Sequence, residues 1–572
     1  MQFPLMFALT GTVQGWVLWW LWRSFEHKLW PATEPMLLTG LLYAALAVPL
    51  VIYGTQNVEG LPRTARRVAV ALYALLYAAL GAGTAWAAGV TGVATGVRFP
   101  DGLAALVLGF VSLGLLCGFD FEVRRWRYER LFHYAWRNGI LLATAWAMVG
   151  IVWLVLYAGA GLMSLIGVRW VLEMIRKPVF IFPVTGLVAA GAFALGLARA
   201  AMTETIRRFT LSIAAWLLPL VLSFAVLWVL AVPFTGLEPL FKTRSAAFMM
   251  LAFTALAVSF ANCAYQDGEQ PWPYPRWLSR ATQAAWLALL VVVGIAWWAL
   301  GLRIAQHGWS EHRLWGALVA SVATIYAVGY ALSWLQPARW MRAMAPANIV
   351  AALALCAGLL VFLSPLANVR QLAVRAHLAH VEQAQGRQEP DWDYLRWESG
   401  RFGRAALQAM AAGQGVPAGQ AWDKQAARLL AQSNRYDRRP EVLSAQDLAG
   451  KFVVHPRGRS LPEGFVKYAQ GSNPAWDLKR CLQAAASCPV WLGDLNGDGQ
   501  DELLLFAPGP DAGWSGAVFM PAGERWRQAG TFAARGAREK FDPSQLDGAR
   551  IVPPQWRDLQ VQGQHLRVWL NH

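Results

Sequence analysis

Charged side chains are scarce in this sequence. Asp, Glu, Lys and Arg make up 15% of its 572 residues, where soluble domains average about 25%. The shortage is confined to one part, which excludes a purely soluble chain. Residues 1–367 are a succession of long apolar runs, and 368–572 have ordinary soluble composition. Acidic residues are the scarcer sign, 34 against 50 basic ones. Within 1–367 there are 25 Lys and Arg against 13 Asp and Glu, mostly in short segments between runs. Positive-inside topology and anionic headgroups produce that pattern. The basic charge is dispersed and no recognition motif accompanies it, so the expected partner is a lipid bilayer and not nucleic acid.

Cysteine is sparse as well, with five residues. Cys117, Cys263 and Cys356 fall in or beside apolar runs, where a thiol packs as a small hydrophobe. Cys481 and Cys488 fall in the soluble part and are a candidate disulfide if that part faces an oxidising compartment. The alternative is two free thiols on a short helix. Catalytic signatures are missing too. There is no phosphate-binding Gly-Lys-Ser loop, no nucleophile elbow and no Cys-x-x-Cys pair, so the sequence leans against an enzyme.

A membrane-spanning helix needs about 20 apolar residues. Eleven runs qualify, at 5–22, 36–53, 68–90, 103–119, 140–162, 179–197, 209–232, 246–264, 281–300, 314–335 and 349–366. None contains Asp, Glu, Lys, Arg or His, which counts against proton relays and ion pumps. No basic residue precedes the first run and no small-residue cleavage site follows it, so it is expected to remain as an anchor. Many tryptophans sit at run ends, where an indole prefers the headgroup level. Residues 163–177 are too charged to span and read as one helix lying in the interface.

The fold class expected is mainly α: a polytopic bundle of about eleven transmembrane helices, then a small α+β soluble domain. The domains are 1–367 (transmembrane), 368–439 (helical juxtamembrane linker) and 440–572 (the α+β module). Helices are expected at 369–385, 391–412, 421–433 and 477–487. Strands are expected at 452–454, 490–492, 502–506, 517–520, 526–532, 550–552 and 566–570. The even-numbered connections between runs carry 15 Lys and Arg and the odd-numbered ones 10. That bias favours a cytoplasmic N-terminus and an extracytoplasmic soluble domain.

Two groups of residues carry candidate chemistry. In DLNGDGQDE at 494–502, oxygen-bearing side chains recur at every second position and a glycine allows a sharp turn. Asp494, Asn496, Asp498 and Glu502 by side chain, and Gln500 by its carbonyl, could wrap a structural calcium ion. The alternative is an acidic hairpin whose Asp and Asn cap backbone groups. The twelfth position, where an EF-hand needs an acid, is Leu505. The spacing fits the calcium loops of integrin-like repeats better, but one loop cannot build a propeller. The second group is a candidate polar binding cluster outside the spans: Tyr265, Gln266 and Asp267 after one run, and Arg303, Gln306 and His307 after another. Solvated helix ends are the alternative. His377 and His380, three apart, have no evident third ligand for a metal.

Several stretches resemble a known family. They are FPVTG at 182–186, VPFTGLEPLFKTRSAAFMMLAFTALAVSFANCAYQDG at 232–268, PRWL at 275–278, LRIAQHGW at 302–309, Ser364-Pro365 and YLRWESGRFGR at 394–404. Together they are similar to the bacterial membrane family catalogued as domain of unknown function 4153, over about residues 110–407. One departure is Asn262-Cys263-Ala264-Tyr265, where the family pattern has Asn-Ala before the Tyr. The resemblance implies a bacterial inner-membrane location and no mechanism. The expected role is structural or interaction-based at the cell envelope, through a calcium-binding module and with other envelope proteins as partners. The alternative is a transporter or membrane-embedded enzyme for a neutral or lipid-linked substrate, because eleven spans exceed what anchoring a small module needs.

Overall fold

The structure is a computed structural model. It describes residues 2–572 apart from 91, 93, 244, 269–272, 336–339, 366, 384–388, 418–419, 433–447, 449, 471–474, 484–486, 507–514, 524, 534–541, 553–558, 562–563 and 567–572. The chain divides into two compact units, Met1–Ala431 and Gln432–His572.

Every apolar run of the first unit is helical. In order the helices are α1 (Gln2–Glu26), α2 (Pro35–Gly54), α3 (Arg63–Ala88), α4 (Phe99–Gly118), α5 (Tyr128–Leu165), α6 (Trp170–Ile175), α7 (Pro178–Ala198), α8 (Ala200–Thr235), α9 (Glu238–Lys242), α10 (Ala246–Tyr265), α11 (Arg276–His307), α12 (Glu311–Ala331) and α13 (Met344–Leu363). Among the described residues ten helices are long and apolar enough to cross a membrane, which makes this a multi-pass membrane protein. The first run, in α1, is not among the ten. Its 25 residues would reach roughly 37 Å, but Thr10, Thr12, Gln14 and four tryptophans dilute its apolar character. Gly11 and Gly15 seat α1 on α7. A Cβ at Gly11 would stand 2.2 Å from the Gly186 carbonyl oxygen, and one at Gly15 2.4 Å from that of Phe182. No side chain fits there, so this small-x-x-x-small pair sets the approach of the two backbones.

Two expected helices are broken. Residues 163–177 are not one interfacial helix: α5 runs on to Leu165, and Gly167 turns the chain at a φ of +90° before the six-residue α6. Residues 391–412 split into a π-turn (Tyr394–Glu398) and α15 (Gly400–Ala411). Gly400 has a φ of +64°, and a Cβ there would stand 2.2 Å from the Ala87 carbonyl oxygen. The break comes from tertiary contact with α3. Together with α14 (Val369–Gln383) and α16 (Trp422–Ala431), α15 forms a small core around Val374, Leu395, Leu407, Met410, Ala426 and Leu429. These helices belong to the first unit.

Polar contacts sort the connections to two ends of the bundle. At one end Arg98 meets Glu311 at 3.0 Å, Arg404 donates to the Gly89 carbonyl at 3.0 Å, and His380 packs on Gly308. At the other, the Glu59 N–H donates to the Tyr134 hydroxyl, Arg66 to Gln56 and Tyr128 to Asn262. A two-residue hairpin, β1 (Phe119–Asp120) with β2 (Arg125–Trp126), closes the α4–α5 connection at this second end.

The second unit is an α+β domain. Its sheet has the order β3 (Phe452–His455), β4 (Cys488–Gly493), β5 (Glu502–Phe506), β6 (Ser515–Ala522) and β7 (Arg525–Ala533). β3 runs parallel to β4 and the other pairs are antiparallel. A parallel pair needs a crossover, supplied here by α17 (Glu463–Ala469) and α18 (Trp476–Gln483). Phe465, Leu478, Val490, Leu492, Leu503, Leu505 and Phe519 form the core on that face. Trp491 and Phe506 pack with Leu546 of a 3-10 turn (Pro543–Gly548) on the other. β8 (Leu559–Val561) and β9 (Gln564–Leu566) pair separately. Residues 551–552, expected in a strand at 550–552, have no regular structure, and 567–570 of the expected last strand lie outside the described residues.

Candidate functional site

The loop at 494–502 joins β4 to β5, two strands whose burial fixes where it starts and ends. Asp494 Oδ1 accepts from the N–H groups of Gly497 (2.7 Å) and Asp498 (3.1 Å), and its Oδ2 from Gly499 (2.9 Å). Asn496 Oδ1 accepts from the Asp498 N–H, and Asp498 Oδ1 from that of Gln500, both at 2.8 Å. Glu502 accepts from the Leu495 N–H at 2.7 Å and from the Asn496 amide at 2.8 Å. The Gly499 N–H, then those of Gly497 and Asp498, hold the Asp494 carboxyl below the ordinary aspartate range. The oxygen donor types suit a hard cation, but the arrangement drawn is a turn capped by its own side chains. Asn496 turns its N–H₂, and not its oxygen, towards the carboxylates of Asp498 and Glu502. Among the described residues no three or more His, Cys, Asp or Glu side chains gather as metal ligands.

Cys481 and Cys488 are joined in a disulfide, with Cα atoms 6.0 Å apart. It ties α18 to the first residue of β4, at the opposite end of that strand from the loop.

The polar cluster expected from Tyr265, Gln266, Asp267, Arg303, Gln306 and His307 is not one cluster. The first three end α10, just before α11 begins at Arg276, and the last three end α11 at His307. At ~1.5 Å per residue, about 40 Å of helix separates them. His377 is engaged as well: its Nε2 accepts from the Asp391 N–H at 2.9 Å.

Each end of the bundle has its own polar site. At the second end Tyr128 donates to Asn262 Oδ1 (3.1 Å), Asn262 donates to the Tyr330 hydroxyl (3.0 Å), Tyr330 to Asn348 Oδ1 (2.6 Å) and Asn348 back to Asn262 (2.6 Å). This closed network fixes four helices, α5, α10, α12 and α13, against one another. Its two amides stand inside runs 246–264 and 349–366 or within one residue of them, and that was the available signal. On the same side, the Val123 and Glu122 N–H groups hold the Asp120 carboxyl low, with Arg127 and Arg130 adding charge. At the first end Arg370 of α14 donates to Asp101 in the first turn of α4, and both are buried. Asp101 lies two residues before run 103–119. The ionisable groups missing from the runs are therefore built in just beyond their ends.

A further pair lies in the second unit. His455 on β3 is 2% exposed, and its Nδ1 is 2.7 Å from Asp547 Oδ1. That bond, helped by the Arg457 N–H, holds the Asp547 carboxyl low. Comparison of the chain with protein-family profiles, with curated proteins and with solved structures returned no match.

Proposed function

We propose that the chain is a multi-pass protein of a bacterial inner membrane, with a cytoplasmic N-terminus and a periplasmic second unit. Through that unit it serves a structural or interaction role at the cell envelope, with the bilayer and other envelope proteins as partners. The observation that carries this reading is the Cys481–Cys488 bond, because disulfides persist in oxidising compartments and are rare in the cytosol. The arginine bias supports it independently. The end of the bundle that gathers Arg66, Arg127, Arg130 and Arg137 is the one that positive-inside topology turns to the cytoplasm.

A thiol-reactive polyethylene glycol tests the topology in cells denatured without reductant. Three cysteines, Cys117, Cys263 and Cys356, should add the label, and Cys481 and Cys488 only after reduction. A cytoplasmic second unit would label at all five without reductant.

The loop at 494–502 would take calcium in that compartment as a structural cofactor. The support is residue chemistry: two aspartates, one glutamate, an asparagine and the Gln500 carbonyl within nine residues. Binding requires the Asn496 amide to turn over, so that its oxygen faces the ion. A ligand that binds only the folded state raises stability by mass action. In the full-length protein in detergent, millimolar calcium should raise the melting temperature of the second unit over that in chelator, and Asp498→Asn should remove most of the rise. An unchanged melting temperature would dispose of the cofactor.

A further inference from the structure

Three buried polar side chains of the helical unit each carry an atom with no hydrogen-bond partner among the described residues. Gln283 and Trp286 stand one turn apart on α11, 2% and 0% exposed, and Ser333 on the 3-10 turn after α12 (Leu332–Leu335) is 0% exposed. These atoms are Gln283 Nε2, Trp286 Nε1 and Ser333 Oγ. Tyr330 connects them. Its ring meets Trp286 edge-on at 4.7 Å, and it stands one turn before Ser333. Its hydroxyl belongs to the closed Asn262–Asn348 network. Native interiors leave few polar groups unsatisfied, and each one calls for an explanation. Polar groups at membrane depth are costly and tend to mark function.

The chemistry of the missing partner follows from what is offered. The amide N–H and the indole N–H can only donate, so they need an acceptor, and the hydroxyl can donate to the same kind of partner. The three groups and the four network residues beside them are uncharged, so none of them supplies a countercharge for an anion. An ester or amide carbonyl or a hydroxyl oxygen fits. Depth and access point to its source. α12 has 21 residues, roughly 31 Å of helix and about the thickness of the hydrocarbon core. Ser333 just beyond it therefore sits where acyl chains give way to esters and hydroxyls. Leu332, Trp334 and Leu335 around it are 49%, 46% and 72% exposed. One turn of chain separates the lipid from the unpartnered groups.

We propose that Gln283, Trp286 and Ser333 form a binding site for the uncharged, ester- and hydroxyl-bearing head region of a membrane lipid, entered from the bilayer past the Leu332–Leu335 turn. The site goes beyond the envelope role proposed above and does not rest on it.

The full-length protein, delipidated in detergent, tests this with 1,2-dioleoylglycerol as the lipid probe and glycerol as its soluble counterpart. Dioleoylglycerol should raise the melting temperature and appear bound in native mass spectra. Glycerol at the same concentration should do neither. Trp286→Phe keeps the ring and removes the N–H, and Ser333→Ala removes the hydroxyl; each should weaken dioleoylglycerol binding about tenfold. If trapped water satisfies these groups, both variants will bind dioleoylglycerol as the parent does, and the proposal falls. It falls equally if dioleoylglycerol does not bind, or if glycerol alone reproduces its shift.

Discussion

Replacing Arg370 with Ala is expected to destabilise the helical unit by about 3–5 kcal/mol. Arg370 and Asp101 are 2% and 3% exposed and hydrogen-bonded to each other. Removing the guanidinium leaves a buried carboxylate without that partner, and the penalty is mostly the cost of keeping Asp101 out of water. The double replacement Asp101→Leu with Arg370→Met removes both charges and should recover most of the loss, since well-packed apolar pairs often equal or exceed a buried ion pair. Arg370→Lys should fall between, because an ammonium cannot reproduce the planar fork. The exposed Lys242–Glu238 pair, at 74% and 78% side-chain exposure, is the control: Lys242→Ala should cost under ~1 kcal/mol. Unfolding in detergent, followed by loss of the monodisperse species, reads all four. An Arg370→Ala protein as stable as Lys242→Ala would mean that the pair does not hold α14 to α4.

The sequence stretches at 182–186, 232–268, 302–309 and 394–404 acquire a physical meaning alongside this pair. Gly186 of FPVTG is where α1 crosses α7, and Asn262 of FANCAY is the hub of the four-helix network. Gly308 of LRIAQHGW takes the His380 ring, while Gly400 and Arg404 of YLRWESGRFGR rest on Ala87 and Gly89. These residues dock one helix on another, and packing accounts for their spacing.

That explains what could be read in the chain beforehand. A membrane span needs only length and apolar composition, both local, so the eleven runs are visible as helices, and among the described residues ten of them are apolar enough to span. A β-hairpin between buried strands is equally local, and the strands on either side of residues 494–502 fall where the short apolar runs put them. The π-turn and kink at Ser399–Gly400 could not be seen, because their cause is the Ala87 carbonyl more than 300 residues earlier. Nothing local marks Arg370 among the charges of α14, because its partner stands 269 residues away. Arg303 and Tyr265 both follow spans, and sequence does not reveal that one helix, α11, holds them apart. The direction of the Asn496 amide is likewise set by Glu502 and Asp498 across the loop, and not by its neighbours in the chain.

The second unit's stability should depend most on one ring. Phe465 of α17 is 0% exposed, with Phe519 and Trp526 both at 5.5 Å, Phe452 at 5.9 Å and Tyr468 at 6.3 Å between ring centroids. It is the contact through which the crossover covers β3, β6 and β7. Phe465→Ala removes the ring and leaves a cavity that rigid strands cannot close, a loss of about 3–5 kcal/mol. Val453 on β3, 43% exposed on the opposite side of the strand, is the comparison, and Val453→Ala should cost roughly 0.5 kcal/mol or less. With ~1.4 kcal/mol per factor of ten, amide exchange from peptides of β4 and β5 should accelerate by roughly two to three and a half orders of magnitude in Phe465→Ala. It should change by less than about threefold in Val453→Ala. The disulfide does not rescue the first variant, because Cys481 and Cys488 join α18 to β4 and leave α17 without a covalent tie to the sheet. Equal exchange in the two variants would show that the sheet is held by its ladder and its other face, with the aromatic cluster contributing little.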